Sequence, residues 1–136
     1  MSQILIDTGP LVALLEAGDR NHERCVLTAR RLSDELLTTW PVLTEAMYLL
    51  SHAPKAQDAL LTKIEDGAVQ AAALDADDAR EIRALMKRYR DLPMDFADAS
   101  LVRVADREDI KRVFTLDRRD FGVYRSAHGR PFAIVP

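Results

Sequence analysis

The chain has 136 residues, 48% of them apolar and 30% charged, a balance that fits one globular domain and is too apolar for disorder. Its 19 Lys and Arg against 22 Asp and Glu leave a formal charge of -3, which excludes a polycation that grips nucleic acid by bulk charge. A single cysteine, Cys25, excludes an internal disulfide framework and a multi-cysteine zinc site, and no apolar run approaches the roughly 20 residues of a membrane helix.

Residues 3–6, QILI, are a short apolar run before the turn residues Thr8, Gly9 and Pro10, and are predicted to be a buried strand. Pro10 suits the first turn of a helix over 10–17. A second helix is predicted over 21–35, with Asp19 or Asn21 as cap, and a second strand over 36–39. Pro41 opens a helix over 41–51. Pro54 opens another that ends near Gly67, a good C-cap. Residues 69–74 read as a third strand. Asp75 caps a long amphipathic helix that ends near Asp91, and Pro93 separates it from a helix over 95–107. Strands over 112–116 and 132–135 complete the pattern. Strands separated by helices cannot pair as hairpins, so parallel pairing and an α/β layered fold follow. In such folds ligands collect beyond the carboxyl ends of the strands. The opening segment lacks a basic region and reaches acidic residues early, so no signal peptide is expected. The expectation is a single cytoplasmic domain over 1–136.

The acids at those strand ends, and on the adjoining apolar helix faces, carry the functional signal. Asp7 directly follows the first strand, where it is either a turn or cap residue or a site carboxylate. At about 100° per residue, Glu45 falls within about 60° of Val42 on the helix wheel. Val42, Ala46 and Leu49 make that face apolar. An ionised acid there is costly unless it reaches solvent, pairs with an arginine or binds a cation. Asp98 lies at the middle of the face formed by Met94, Leu101, Val102 and Ala105. Asp95, three residues earlier, can share the face or cap the helix. Asp117 follows the strand-like RVFTL, with Asp120 three residues on; both also fit an Asx-type turn. Convergence of these acids would demand a positive partner. Oxygen donors without His or Cys suit Mg²⁺ or Mn²⁺, the usual device of phosphodiester chemistry.

Other chemistries have less support. His22, His52 and His128 lack metal-site spacing and read as surface or capping residues, and Cys25 reads as a packing residue. Nucleophile-elbow, Walker A and dinucleotide-binding motifs are absent. Asp75, Asp77 and Asp78 open a helix, where the dipole accounts for them. Arg118 and Arg119 neighbour Asp117 and are candidates for phosphate contact.

The stretches ILIDTGPLVALL, TEAMYLL, DFADASLV and VFTLDRRDF, in this order, resemble the PIN domain family, and most of all the VapC-type toxins of bacterial toxin–antitoxin pairs. The resemblance implies a three-layer α/β/α fold with a short, mostly parallel central sheet. It implies an acidic quartet of Asp7, Glu45, Asp98 and Asp117 holding Mg²⁺ or Mn²⁺. Thr8 and Thr115 would support that site through their hydroxyls, with Asp95 and Asp120 as neighbouring acids; Asp98 is chosen over Asp95 by helix face, and Asp117 over Asp120 by closeness to the strand end. The implied activity is metal-dependent endoribonucleolytic hydrolysis of RNA, leaving a 5′-phosphate and a 3′-hydroxyl. A homodimer and a cognate antitoxin are the implied partners, with no membrane. The competing readings are a metal-dependent phosphohydrolase of small phosphoesters and an inactive PIN-like binding module.

Overall fold

The structure is a computed structural model that describes residues 2–126 and 129–136, so His128 lies outside the described residues. Ile4, Leu5 and Ile6 are wholly buried and form the central strand β1 (Gln3–Ile6). Two helices, α1 (Thr8–Leu15) and α2 (His22–Arg31), lead to β2 (Glu35–Thr39). Next come α3 (Trp40–Leu49), α4 (Pro54–Glu65) and β3 (Val69–Ala72). The second half runs α5 (Ala76–Arg88), α6 (Phe96–Glu108), β4 (Arg112–Phe114), α7 (Arg118–Val123) and β5 (Ala133–Val135). The strands form one sheet in the order β3-β2-β1-β4-β5, and every pair in it is parallel. The α/β expectation therefore holds, with a central sheet flanked by helices.

That order has a topological switch. From β1 the chain steps to β2 and β3 on one side, then crosses to β4 and β5 on the other. The loops leaving β1 and β4 therefore diverge and open a crevice between them at the carboxyl end of the sheet. Asp7 is the residue after β1, and Thr115 the residue after β4.

Two boundaries differ from the sequence reading. The predicted helix over 21–35 stops at Arg31, and Glu35 instead starts β2 in register with Gln3. Asp34 explains the stop. Its carboxylate receives both the Ser2 hydroxyl and the Arg112 guanidinium, while the Glu35 N–H donates to the Ser2 carbonyl. These contacts tie the segment to β1 and β4, and they outweigh a further helical turn. The second difference is α7, where a turn was predicted. The Asp117 side chain accepts the backbone N–H of Asp120 and so caps a short helix. Its Phe121 is completely buried, and that burial stabilises the turn as helix.

The remaining ends shift by a few residues, as capping dictates. Asp75 forms a reciprocal capping box with Asp78 at the start of α5. Gly67 takes a left-handed φ of 83° just past α4, which favours glycine. Dipole stabilisation proves too small an account of Asp78. It is buried, and Arg103 and Arg107 from α6 each reach it at 2.8 Å. Burial opposes its charge, but the Asp75 N–H and the two guanidiniums more than compensate and hold its carboxyl below the usual range. His22 bonds the Ala13 carbonyl through Nδ1 at 2.7 Å, His52 pairs with Glu16, and Cys25 is buried.

Candidate active site

Four elements bring the acids to the crevice. Asp7 is the N-cap of α1 and is only 8% exposed. Its Oδ1 accepts the Thr8 N–H at 2.8 Å, and its Oδ2 accepts the Thr115 hydroxyl at 2.8 Å. The same Thr115 oxygen accepts the Asp117 N–H at 3.0 Å. One buried hydroxyl thus links the loop after β1 to the loop after β4.

Glu45 and Asp98 arrive on α3 and α6, which pack against each other. At the base of that contact the buried hydroxyls of Thr39 and Ser100 lie 2.6 Å apart. Thr39 is also the N-cap of α3, accepting the Val42 N–H, and Ser100 donates to the Ala97 carbonyl within α6. This polar pin sets the two acid-bearing helices against each other. Asp95 caps α6, its Oδ1 accepting the Asp98 N–H at 2.8 Å. The cap position accounts for Asp95, and the turn that follows carries Asp98 toward the crevice.

Asp7, Thr8, Gly9, Glu45, Asp95, Asp98, Asp117 and Asp120 all line one open cleft of about 530 Å³. The structure thus brings together all six acids singled out in the sequence. Electrostatics ties them to each other. Burial pushes the Asp7 carboxyl up, against the Thr115 and Thr8 hydrogen bonds, and Asp117 and Asp95 add repulsion. Burial also raises Glu45, with Asp95 and Asp7 adding to it. Asp98 is pushed up to about 7, first by burial and then by Asp95 and Asp7, with the Tyr124 hydrogen bond working the other way. Asp120 is raised by burial and by Asp117, with Arg119 offsetting part of the rise. Every one of these shifts reports negative charge crowded in a partly dry cleft.

The donor set suits a hard divalent cation. It is made of oxygens, and it includes the Thr8 hydroxyl, a buried atom with no hydrogen bond of ordinary geometry among the described residues, although it lies near enough Glu45 to temper that acid's rise. Among the described residues no group of three or more His, Cys, Asp or Glu side chains stands close enough together to hold a metal ion as placed. Holding an ion would therefore require these carboxylates to draw together, with waters completing the coordination.

The arginines are placed less centrally. Arg118 donates to the Pro136 carbonyl and Arg119 is exposed; neither lines the cleft. The sequence reading missed Tyr124. This wholly buried tyrosine donates its hydroxyl to Asp98 Oδ2 at 3.0 Å. Burial and the neighbouring Asp98 hold its proton on. Its ring meets those of Tyr89 and Phe121 edge-on, at centroid distances of 5.2 and 5.1 Å. The available signal was the Asp117-x-x-Asp120 spacing ahead of Phe121, a helix-start pattern.

Comparison with known proteins finds the same fold. A family model described as "PIN domain" matches residues 4–125. "Ribonuclease VapC26" of Mycobacterium tuberculosis (strain ATCC 25618 / H37Rv) is 29% identical over 135 residues, which cover 98% of this chain and all of that protein. The crystal structure of M. tuberculosis VapC20, a "Sarcin-Ricin loop cleaving toxin", superposes with a TM-score of 0.79 at 22% identity, over 85% of this chain and 91% of that one. A toxin–antitoxin complex from Klebsiella pneumoniae superposes with a TM-score of 0.66 at 17% identity, over 98% and 96% of the two chains.

Proposed function

The chain belongs to the PIN domain family, and from that premise we propose that it is a Mg²⁺- or Mn²⁺-dependent endoribonuclease of the VapC toxin type. The observation that carries the reading is the cleft itself. Six acids from four segments line it, and burial together with repulsion from neighbouring acids raises the carboxyls of Asp7, Glu45, Asp98 and Asp120, an arrangement that costs stability unless a cation joins it. A ribonuclease relative of nearly full length supports RNA as the substrate.

Asp7, Glu45 and Asp98 are the residues assigned to hold the ion, with Asp117 beside them. A bound divalent ion supplies acidification of a water and charge neutralisation at the phosphate. The chain's residues supply the rest. The Thr8 N–H and the Thr115 hydroxyl orient Asp7, so this carboxylate needs no reorganisation when the substrate arrives. Tyr124 donates to Asp98 Oδ2 and so orients this carboxylate, with Oδ1 left to hold the ion. One of the remaining cleft carboxylates accepts the proton of the attacking water. In-line attack on phosphorus then yields a 5′-phosphate and a 3′-hydroxyl. Arg118 and Arg119, flanking the cleft after Asp117, are assigned to flanking phosphates.

A cognate antitoxin as partner is supported by the toxin–antitoxin complex that shares the fold, and we assign the chain a homodimeric state. Among the described residues no helix is long and apolar enough to cross a membrane; we place the protein in the cytoplasm. The test is cleavage of a labelled RNA with and without Mn²⁺ by the unmodified chain and by Asp7→Asn and Asp98→Asn. Cleavage that needs the metal and falls by about a hundredfold or more in both variants is expected. Variants that cut as fast as the unmodified chain refute the assignment.

A further inference from the structure

Tyr89 is the C-cap of α5 and is buried, although it carries a hydroxyl. Its N–H donates to the Leu85 carbonyl at 3.0 Å, and its own carbonyl accepts the N–H groups of Leu92 and Met94 at 3.0 and 3.4 Å. One residue thus ends the helix and closes the turn over 90–94, whose Pro93 lines the acid cleft. The side chain reaches a different part of the chain. Its hydroxyl oxygen accepts the Arg125 backbone N–H at 2.9 Å, and its ring meets that of Tyr124 edge-on, at an interplanar angle of 65°. Ring packing alone would be served by phenylalanine. The hydroxyl adds something that packing does not: it fixes the backbone directly after Tyr124.

Arg125 is also held through its side chain. Its Nη1 donates to the carbonyls of Gly122, Val123 and Tyr124 at 2.8, 3.0 and 3.0 Å, groups that a helix leaves without intrahelical partners at its C-terminus. The helix α7 has six residues, fewer than the roughly 12–15 that an isolated helix needs, so what holds its ends sets its position. Asp117 holds the start. Arg125 holds the end, and Tyr89 ties Arg125 to α5. At that end stands Tyr124, whose hydroxyl donates to Asp98 Oδ2 at 3.0 Å. For an O–H···O bond this is the long end of the usual range, so a shift of about 0.5 Å at the ring would break it. The bond therefore depends on where the backbone at 124–125 sits.

We propose that Tyr89 is a positioning residue of the acid cleft, acting through the Arg125 N–H and the Tyr124 ring to keep the Tyr124 hydroxyl on Asp98. Only its effect on metal binding rests on the ribonuclease reading. An outer partner that orients a carboxylate strengthens the hold of that carboxylate on an ion.

The test starts from the full, metal-free chain labelled with ¹³C at the hydroxyl-bearing ring carbon of tyrosine. The chain has three tyrosines, so Tyr89→Phe and Tyr124→Phe assign every resonance. Asp98→Ala marks where the Tyr124 resonance goes once its acceptor is lost. Tyr89→Phe is expected to move the Tyr124 resonance toward that mark and to weaken Mn²⁺ binding, read by calorimetry, about three- to tenfold. Because Tyr89 acts through Tyr124, the double variant Tyr89→Phe/Tyr124→Phe should bind Mn²⁺ no more weakly than Tyr124→Phe alone. A residue that only fills the core would lower the melting temperature of Tyr89→Phe and leave resonance and affinity in place. An unmoved Tyr124 resonance, an unchanged Mn²⁺ affinity, or losses that add in the double variant each overturn the proposal. Failure of the unmodified chain to bind Mn²⁺, or to cleave RNA with it, refutes the ribonuclease reading, and the Tyr124 resonance in metal-free Tyr89→Phe then decides the proposal by itself.

Discussion

Replacing Asp98 with Asn should make the metal-free protein more stable. The carboxyl titrates at about 7 in the folded chain against an ordinary 3.8. A raised carboxyl favours folding while it is protonated and opposes it once ionised, so its contribution is intact below about pH 4 and is lost as pH rises through 7. At about 1.4 kcal/mol per pH unit, the gap sets an upper bound of about 4 kcal/mol at pH 8. Asp98 is only partly buried, and solvent screening reduces that to about 1–2 kcal/mol. Asn keeps an amide oxygen that can accept from Tyr124, so the hydrogen bond to Oδ2 need not be lost. For a chain of this length the expected rise in melting temperature is about 3–8 °C at about pH 8 in EDTA. The rise should shrink steadily as the pH falls toward 4. It should also shrink when Mn²⁺ is added, because the ion stabilises the unmodified chain through the same carboxylate. Differential scanning calorimetry across pH, with and without metal, reads all three effects. An Asn variant that melts at the same temperature or lower at pH 8, or a gain that does not depend on pH, would refute the crowded-acid account of the cleft.

Two further perturbations probe the supports of the site and of the fold. Tyr124→Phe keeps the buried ring and removes only the hydroxyl that orients Asp98; the Mn²⁺ concentration needed for half-maximal cleavage should rise severalfold, while stability falls by about 1 kcal/mol. An unchanged metal requirement would show that Asp98 is positioned by its helix alone. Asp78→Ala leaves Arg103, 21% exposed, without its carboxylate and takes one of the partners of Arg107, which keeps Glu108 and the Ala73 carbonyl; it should cost about 2–4 kcal/mol in urea unfolding at neutral pH. Because the Asp78 carboxyl is held below its usual range, its contribution is present above about pH 4 and lost as pH falls below it, so the penalty should fade in acid; a penalty that persists there would assign it to packing.

Much of this molecule was legible in the sequence because local and global signals agreed. The alternation of short apolar runs with amphipathic helices specified parallel strands. Prolines at 41 and 54 and the caps at Asp75 and Asp95 located helix starts to within a residue or so. Glu45 and Asp98 stood out because each interrupts an apolar face, and a charge on such a face needs a reason that a one-dimensional pattern can register. The helix predicted over 21–35 ran too far because propensity continues past Arg31, whereas the competing contacts come from Ser2 and Arg112, far away along the chain. The helix α7 was missed because its stability depends on burying Phe121, a long-range event.

What the sequence determined by itself was which residue types had to be explained: acids after strands and acids on apolar faces, in a chain without the cysteines or histidine spacing for other metal chemistry. Only the tertiary structure decided that they share one cleft. The strand order 3-2-1-4-5 places the ends of β1 and β4 at the switch point, Thr115 links Asp7 to the Asp117 loop across it, and the Thr39–Ser100 contact sets α3 against α6. The same step enlisted Tyr124. The physical reason is range. Periodicity and capping act within a few residues and are written in local order, whereas repulsion between carboxylates, a shared hydroxyl and a contact between rings depend on distances in space between residues far apart along the chain.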